Sequence, residues 1–259
     1  MCYTVAQLKM REYKYALRND FPQEIIDKLY EEWKKLEEGE NAEMHYRVSG
    51  FVHPDLIAIT PDLSCQKINW GLIPSWVKSV EEAKQIREKT LNARGETFFE
   101  KPAFRESAKS KRCLILLDGF YEYHHLKGKT FPYFIQHIDP KMPFVMGGIF
   151  SEWADPETGE IHLTGSIVTT PGNSMMTRIH NNPKNEGPRM PLILTEGTYK
   201  KWLNETDKPE IEKLVHPFPD ELMKSFTVGK MSGKNEVPDS KESQKEVVYQ
   251  ELNDQSTLF

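Results

Sequence analysis

Apolar positions follow two rhythms along the chain. Between Pro22 and Glu38 they fall at Ile25, Ile26, Leu29, Tyr30, Trp33 and Leu36, the three- and four-residue spacing of one helical face. Pro22 suits a first turn and Gly39 a stop, so a helix is predicted over 22–38. Beyond it, short runs rich in β-branched and aromatic residues predict strands over 48–60, 113–117, 133–138, 144–150 and 161–169. Helical spacing returns over 80–89 and 195–203. Strands without a regular strand–helix–strand alternation predict an α+β fold. From about Gly229 apolar residues thin out among polar and charged ones, the composition of a disordered tail.

Length and charge narrow this picture. The chain has 259 residues, 28% of them charged, which suits one domain with additions and a sizeable core. No apolar run is long enough to span a membrane and no signal-peptide pattern opens the chain. We therefore expect a cytoplasmic protein with no membrane partner. The three cysteines, Cys2, Cys65 and Cys113, lack paired spacing, which argues against a disulfide framework and a zinc site. Cys113 opens an apolar run and reads as a small buried hydrophobe. The net charge of −5 is uneven, because acids crowd into 20–43 and 234–259 and leave the remainder net basic. Such a core is compatible with a polyanionic partner. Lys109, Lys111 and Arg112 read as a solvated charged face.

The chemistry begins at Cys2. A small residue after Met1 makes the chain a substrate for methionine removal, which would leave an α-amine and a thiol on adjacent carbons. An α-amine with a pKa of about 7.7–8.0 is partly neutral at physiological pH and attacks aldehydes to give a Schiff base. The neighbouring thiol can then close a five-membered thiazolidine. Four further segments carry candidate side chains. Trp70-Gly71-Leu72-Ile73-Pro74-Ser75-Trp76 reads either as a packed aromatic corner or as a stacking platform for splayed bases. Leu91-Asn92-Ala93-Arg94-Gly95-Glu96-Thr97, followed by Phe104-Arg105, offers Arg94 and Arg105 as phosphate ligands. Asp118-Gly119-Phe120-Tyr121-Glu122-Tyr123 sets Glu122 among aromatics, where a carboxyl pKa rises toward the range useful for proton transfer. Thr169-Thr170-Pro171-Gly172-Asn173 leads to Arg178-Ile179-His180 and then to Arg189-Met190-Pro191. His124-His125 reads as surface.

Together, and in this order, these motifs resemble the SRAP family, the SOS response-associated peptidases or abasic-site processing proteins. The resemblance runs from Cys2 to about Leu203. It implies a single SRAP-like domain over 2–228, built on a curved, largely antiparallel, barrel-like sheet with flanking helices. It also implies a monomer near the nucleoid, without metal or organic cofactor, that takes single-stranded DNA containing abasic sites as its partner. There it would crosslink Cys2 to the ring-opened aldehyde as a thiazolidine, shielding the lesion during a DNA damage response. Cys2 would supply amine and thiol, Asn92 would orient the N-terminus, and Glu122 would act as acid and base in formation and slow reversal. His180 would hydrogen-bond the opened sugar. Arg94, Arg105, Thr170 and Asn173 would hold the DNA backbone, with Trp70 and Trp76 shaping the pocket. The peptidase label would reflect removal of Met1.

Three features depart from the family pattern. Tyr3-Thr4 stand where many members have Gly-Arg, the helix near 20–43 looks inserted, and 181–187 lengthen the loop after His180. The end, Gln255-Ser256-Thr257-Leu258-Phe259, resembles the short peptides that dock on the replication sliding clamp, with Gln255, Leu258 and Phe259 as anchors. Two other readings of Cys2 stay open on the residues alone. One is an N-terminal-nucleophile amidohydrolase. The other is a noncovalent reader of damaged DNA.

Overall fold

The computed structural model describes residues 2–7, 17–38, 45–184, 186–233 and 235–253. Among the described residues eleven strands form one sheet that curls on itself. They are β1 (Thr4–Gln7), β2 (Val48–Ser49), β3 (Asp55–Ile59), β4 (Cys65–Trp70), β5 (Asn92–Arg94) and β6 (Arg112–Leu126). Then follow β7 (Lys129–His137), β8 (Phe144–Ala154), β9 (Ile161–Pro171), β10 (Arg189–Pro191) and β11 (Met223–Thr227). Strands β3, β4, β9, β8 and β6 pair in a ring, each with the next, so five strands close a barrel. Most pairings are antiparallel; β4 and β5 run parallel to β9. The result is an α+β domain on a barrel-like sheet.

Among the described residues seven helices flank it: α1 (Gln23–Glu37), α2 (Val80–Arg87), α3 (Arg105–Ser110), α4 (Ser174–Ile179), α5 (Tyr199–Asn204), α6 (Lys208–Glu212) and α7 (Gln250–Asn253). In α1 the predicted face is the buried one, with Ile26, Leu29 and Trp33 packed into the cluster that holds Ile59, Leu114 and Trp202. Ser79 starts α2 by accepting the Glu82 N–H, satisfying one of the first-turn donors a helix leaves open. Among the described residues no helix is long and apolar enough to cross a membrane.

Four expectations are corrected. The strand predicted over 48–60 is broken by a 3₁₀ turn at Gly50–Val52, which His53 ends in the left-handed region at φ 50°. Any side chain at Gly50 would press on the Trp70 ring, so the turn depends on that glycine. The helix predicted over 195–203 starts only at Tyr199. Arg112 is no solvated charge: it is 1% exposed, and its guanidinium donates to the carbonyls of Ala108, Lys109, Trp202 and Glu205. A buried cation needs such a set of acceptors to offset its lost hydration.

The segment after Gly229, expected as a disordered tail, is tied to the domain through its described residues as far as Glu251. Arg47 donates to the backbone carbonyls of Met231 and Val237 and to Glu236. Val228 bridges Glu246, Val247 N–H donates to the Thr227 carbonyl, and the Tyr249 hydroxyl donates to the Val228 carbonyl. These bonds are mostly polar, which is why apolar content did not reveal them. The clamp-peptide residues Gln255, Leu258 and Phe259 lie outside the described residues.

Candidate functional site

The register of β1 on β6 assembles the site. Thr4 lies opposite Tyr121, so the residues preceding β1 run alongside the part of β6 that carries Glu122. Cys2 is fully buried. Burial pushes its thiol well above the usual cysteine value, and the neighbouring Glu122 charge pushes the same way. The thiol is therefore held neutral. Asn92, the first residue of β5, donates from Nδ2 to the Cys2 carbonyl at 2.8 Å. Its Oδ1 is buried and has no hydrogen-bond partner among the described residues. That leaves an acceptor beside the backbone of Cys2.

Glu122 is 5% exposed, and burial lifts its carboxyl to about 7, against a Tyr123 backbone hydrogen bond that favours the anion. A group poised there both takes and gives a proton near neutral pH. His180 follows α4 and is anchored on two sides. The carbonyl of Arg178 meets His124 Nδ1 at 2.9 Å, and Asn181 exchanges two hydrogen bonds with the backbone of His125. The residues flanking His180 thus sit against β6 just beyond Glu122. Burial depresses its imidazole to about 4. The backbone N–H of Arg189 donates to Nδ1 at 3.0 Å. A neutral ring that accepts at Nδ1 carries its proton on Nε2, so His180 presents an N–H donor.

Two charged pairs frame this group. Arg189 makes a bidentate pair with Glu96, both bonds 2.8 Å, and also donates to the Thr169 carbonyl and hydroxyl. Against the burial that would raise it, this fork holds the Glu96 carboxyl below its usual range. Arg94 ends β5 opposite Thr169, is largely exposed, and pairs with Glu186 at 2.7 Å.

Other predicted DNA contacts divide differently. Trp70 is 1% exposed, so it offers no face to a base and cannot be a stacking platform. Its Nε1 donates to the Leu91 carbonyl, one residue before Asn92, which makes it a support of the site from below. Thr170 is fully buried, and its hydroxyl has no hydrogen-bond partner among the described residues. Asn173 caps α4 through the Met176 N–H and donates to the Phe218 carbonyl, contacts that shape the turn toward His180. Trp76 is exposed, its Nε1 donates to the Pro102 carbonyl, and Arg105 pairs with Glu106 nearby in sequence. None of these contacts joins Trp76 or Arg105 to Cys2. Sequence reasoning gave no role to Arg189 or Glu96, although both stand inside quoted motifs, nor to Tyr3 and Phe51. Among the described residues no three or more His, Cys, Asp or Glu side chains are grouped to hold a metal ion.

A closed β-barrel that seats Cys2 against Asn92 and the buried Glu122 defines a single-domain protein organised around its first strand. The family comparison agrees. The chain belongs to the SOS response associated peptidase (SRAP) family, whose model matches residues 13–235. It is 38% identical over 182 residues to the abasic site processing protein YoqW of Bacillus subtilis (strain 168), covering 68% of this chain and 75% of that one. It is 33% identical over 170 residues to the abasic site processing protein HMCES of Xenopus tropicalis, covering 58% of this chain and 48% of that longer protein. A crystal structure of a protein from Bacteroides thetaiotaomicron superposes with a TM-score of 0.77 at 34% identity, covering 95% of this chain and 100% of that one.

Proposed function

We propose that this protein processes abasic sites in single-stranded DNA by capturing their ring-opened aldehyde on Cys2. The observation that carries this is the pairing of the Cys2 backbone with Asn92 while Glu122 lies beside the thiol. Removal of Met1, by the protein itself or by an aminopeptidase, frees the α-amine. The neutral amine adds to the aldehyde carbon, and loss of water gives an imine. The thiol then adds to the imine carbon while its proton passes to the nitrogen, closing the thiazolidine; the net reaction releases one water. Glu122, with its carboxyl near 7, serves the proton transfers in both directions and so permits slow reversal. Its nearness also explains how a thiol held neutral by burial reacts, since the carboxylate takes the proton as sulfur attacks. His180 donates its Nε2 proton to the opened sugar, and Arg94 takes a flanking phosphate.

The test is a denaturing gel of the Met1-processed protein with single-stranded DNA bearing one abasic site. A heat-stable adduct, absent with undamaged DNA and with Cys2→Ala, is expected. No adduct from the processed protein would overturn the reading and favour the amidohydrolase, which a glutaminase assay would then detect. The same reading gives the last residues a role, docking Gln255, Leu258 and Phe259 on a sliding clamp; loss of clamp binding on deleting 255–259 checks it.

A further inference from the structure

We propose that Tyr3 and Phe51 form an aromatic step that stacks on the nucleobase next to the captured abasic sugar; this rests on the function proposed above. Tyr3 directly follows Cys2, and its carbonyl accepts the Gly50 N–H at 2.8 Å, which pins the 3₁₀ turn to the strand that carries the nucleophile. The Tyr3 and Phe51 rings lie 5.1 Å apart at 32°. The turn is held from below by Trp70, whose ring fills the space a side chain at Gly50 would need and whose carbonyl meets His53 Nδ1 at 2.7 Å. Phe51 is 50% exposed and Val52 70%. Such large apolar side chains beside a reactive pocket point to an apolar ligand surface.

The occupant follows from the neighbours. The Tyr3 phenol feels burial first, then the charges of Glu122, Cys2 and Arg94, so the ring lies within reach of both the reacting groups and the cation assigned to phosphate. A strand of DNA whose sugar is at Cys2 and whose phosphate is at Arg94 brings its adjacent base to the same place. The face of a base is the chemical class that fits two tilted rings with no hydrogen-bond code. The local sequence is consistent with this. Tyr3-Thr4 supply no cation beside Cys2, so stacking here would add to the charge that Arg94 contributes.

The measurement compares two abasic oligonucleotides, one with normal bases on both sides of the lesion and one with base-free spacers there. For wild type we expect capture efficiency about 5- to 150-fold higher with flanking bases, from the range for one base–aromatic stack. The ratio should hold between low and moderate salt, since a stack releases no counterions. Phe51→Ala and Phe51→Leu should bring the ratio close to one, and Phe51→Trp should restore it. Leu keeps apolar bulk and protects the fold, so its failure to restore separates stacking from burial. A wild-type ratio near one, or a ratio unchanged in Phe51→Leu, overturns the step. If no oligonucleotide forms an adduct, the capture reading fails first. Equilibrium binding of undamaged single strands, with and without a run of spacers, then tests the step by the same ratio.

Discussion

The backbone N–H of Arg189 donates to Nδ1 of His180, and that bond decides which ring nitrogen carries the proton. Burial disfavours the charged ring, and a neutral ring that accepts at Nδ1 carries its proton on Nε2. With an unfolded value near 6.5 and a folded value of about 4, the unfolded chain binds more protons in between. Stability therefore falls as pH drops from about 6.5 toward 4. Nitrogen-15 NMR of labelled histidine should show His180 as the Nε2–H tautomer with no titration above about pH 5. Titration near 6.5 would contradict the arrangement.

Glu122→Gln should separate stability from activity. The folded carboxyl ionises near 7 and the unfolded one near 4.5, so the folded state holds the extra proton between them. Stability contributed by that proton is present below the unfolded value and lost as pH rises through 7. Glutamine copies the protonated form. The variant should match wild type in urea denaturation at pH 4.5 and exceed it at pH 8 by up to about 3 kcal/mol. Its adduct formation should slow by about 10²-fold or more, the usual share of a proton-transfer group.

Asn92→Ala removes the bond to the Cys2 carbonyl. A net hydrogen bond is worth about 1 kcal/mol, so the fold should survive with a small loss of stability. Adduct formation should fall further, by at least about 10-fold, because the nucleophile loses its orientation. Equal small losses in both would make Asn92 only a structural tie.

If Arg94 takes a DNA phosphate as proposed, Glu186, its ion-pair partner, competes for it. Both side chains are well exposed, so the pair is worth less than about 1 kcal/mol. Glu186→Gln should tighten binding of undamaged single strands by about 2- to 5-fold and steepen its salt dependence. Binding that is unchanged at low salt would remove Arg94 from the DNA path.

Much of the fold was legible because its signals are local. The α1 stripe at Ile26, Leu29 and Trp33 faces the core as its spacing predicted. The run beginning at Cys113 is a strand, but β6 continues to Leu126, past Gly119, where any side chain would meet the Ile135 carbonyl and the Phe134 ring. Strand β4, Cys-Gln-Lys-Ile-Asn-Trp, passed unread because its polar residues hide a short alternation. Residue chemistry singled out Cys2 and Glu122 as candidates, and the family resemblance added Asn92 and His180. Which of them touch depends on strand register, and a sequence does not display register. Trp70 shows the limit most clearly: a tryptophan among turn residues suits a platform or a core, and only its 1% exposure decides.

The packed segment after Gly229 has a further consequence. Among the described residues β11 pairs with β7 alone, which leaves its other side an open sheet edge. Val228, bridged to Glu246, and Thr227, hydrogen-bonded twice to Val247, close the end of that edge with the chain's own returning backbone. Unguarded edges recruit strands from other molecules. A chain ending at Val228 should therefore self-associate at concentrations where the full chain stays dispersed, as light scattering would show.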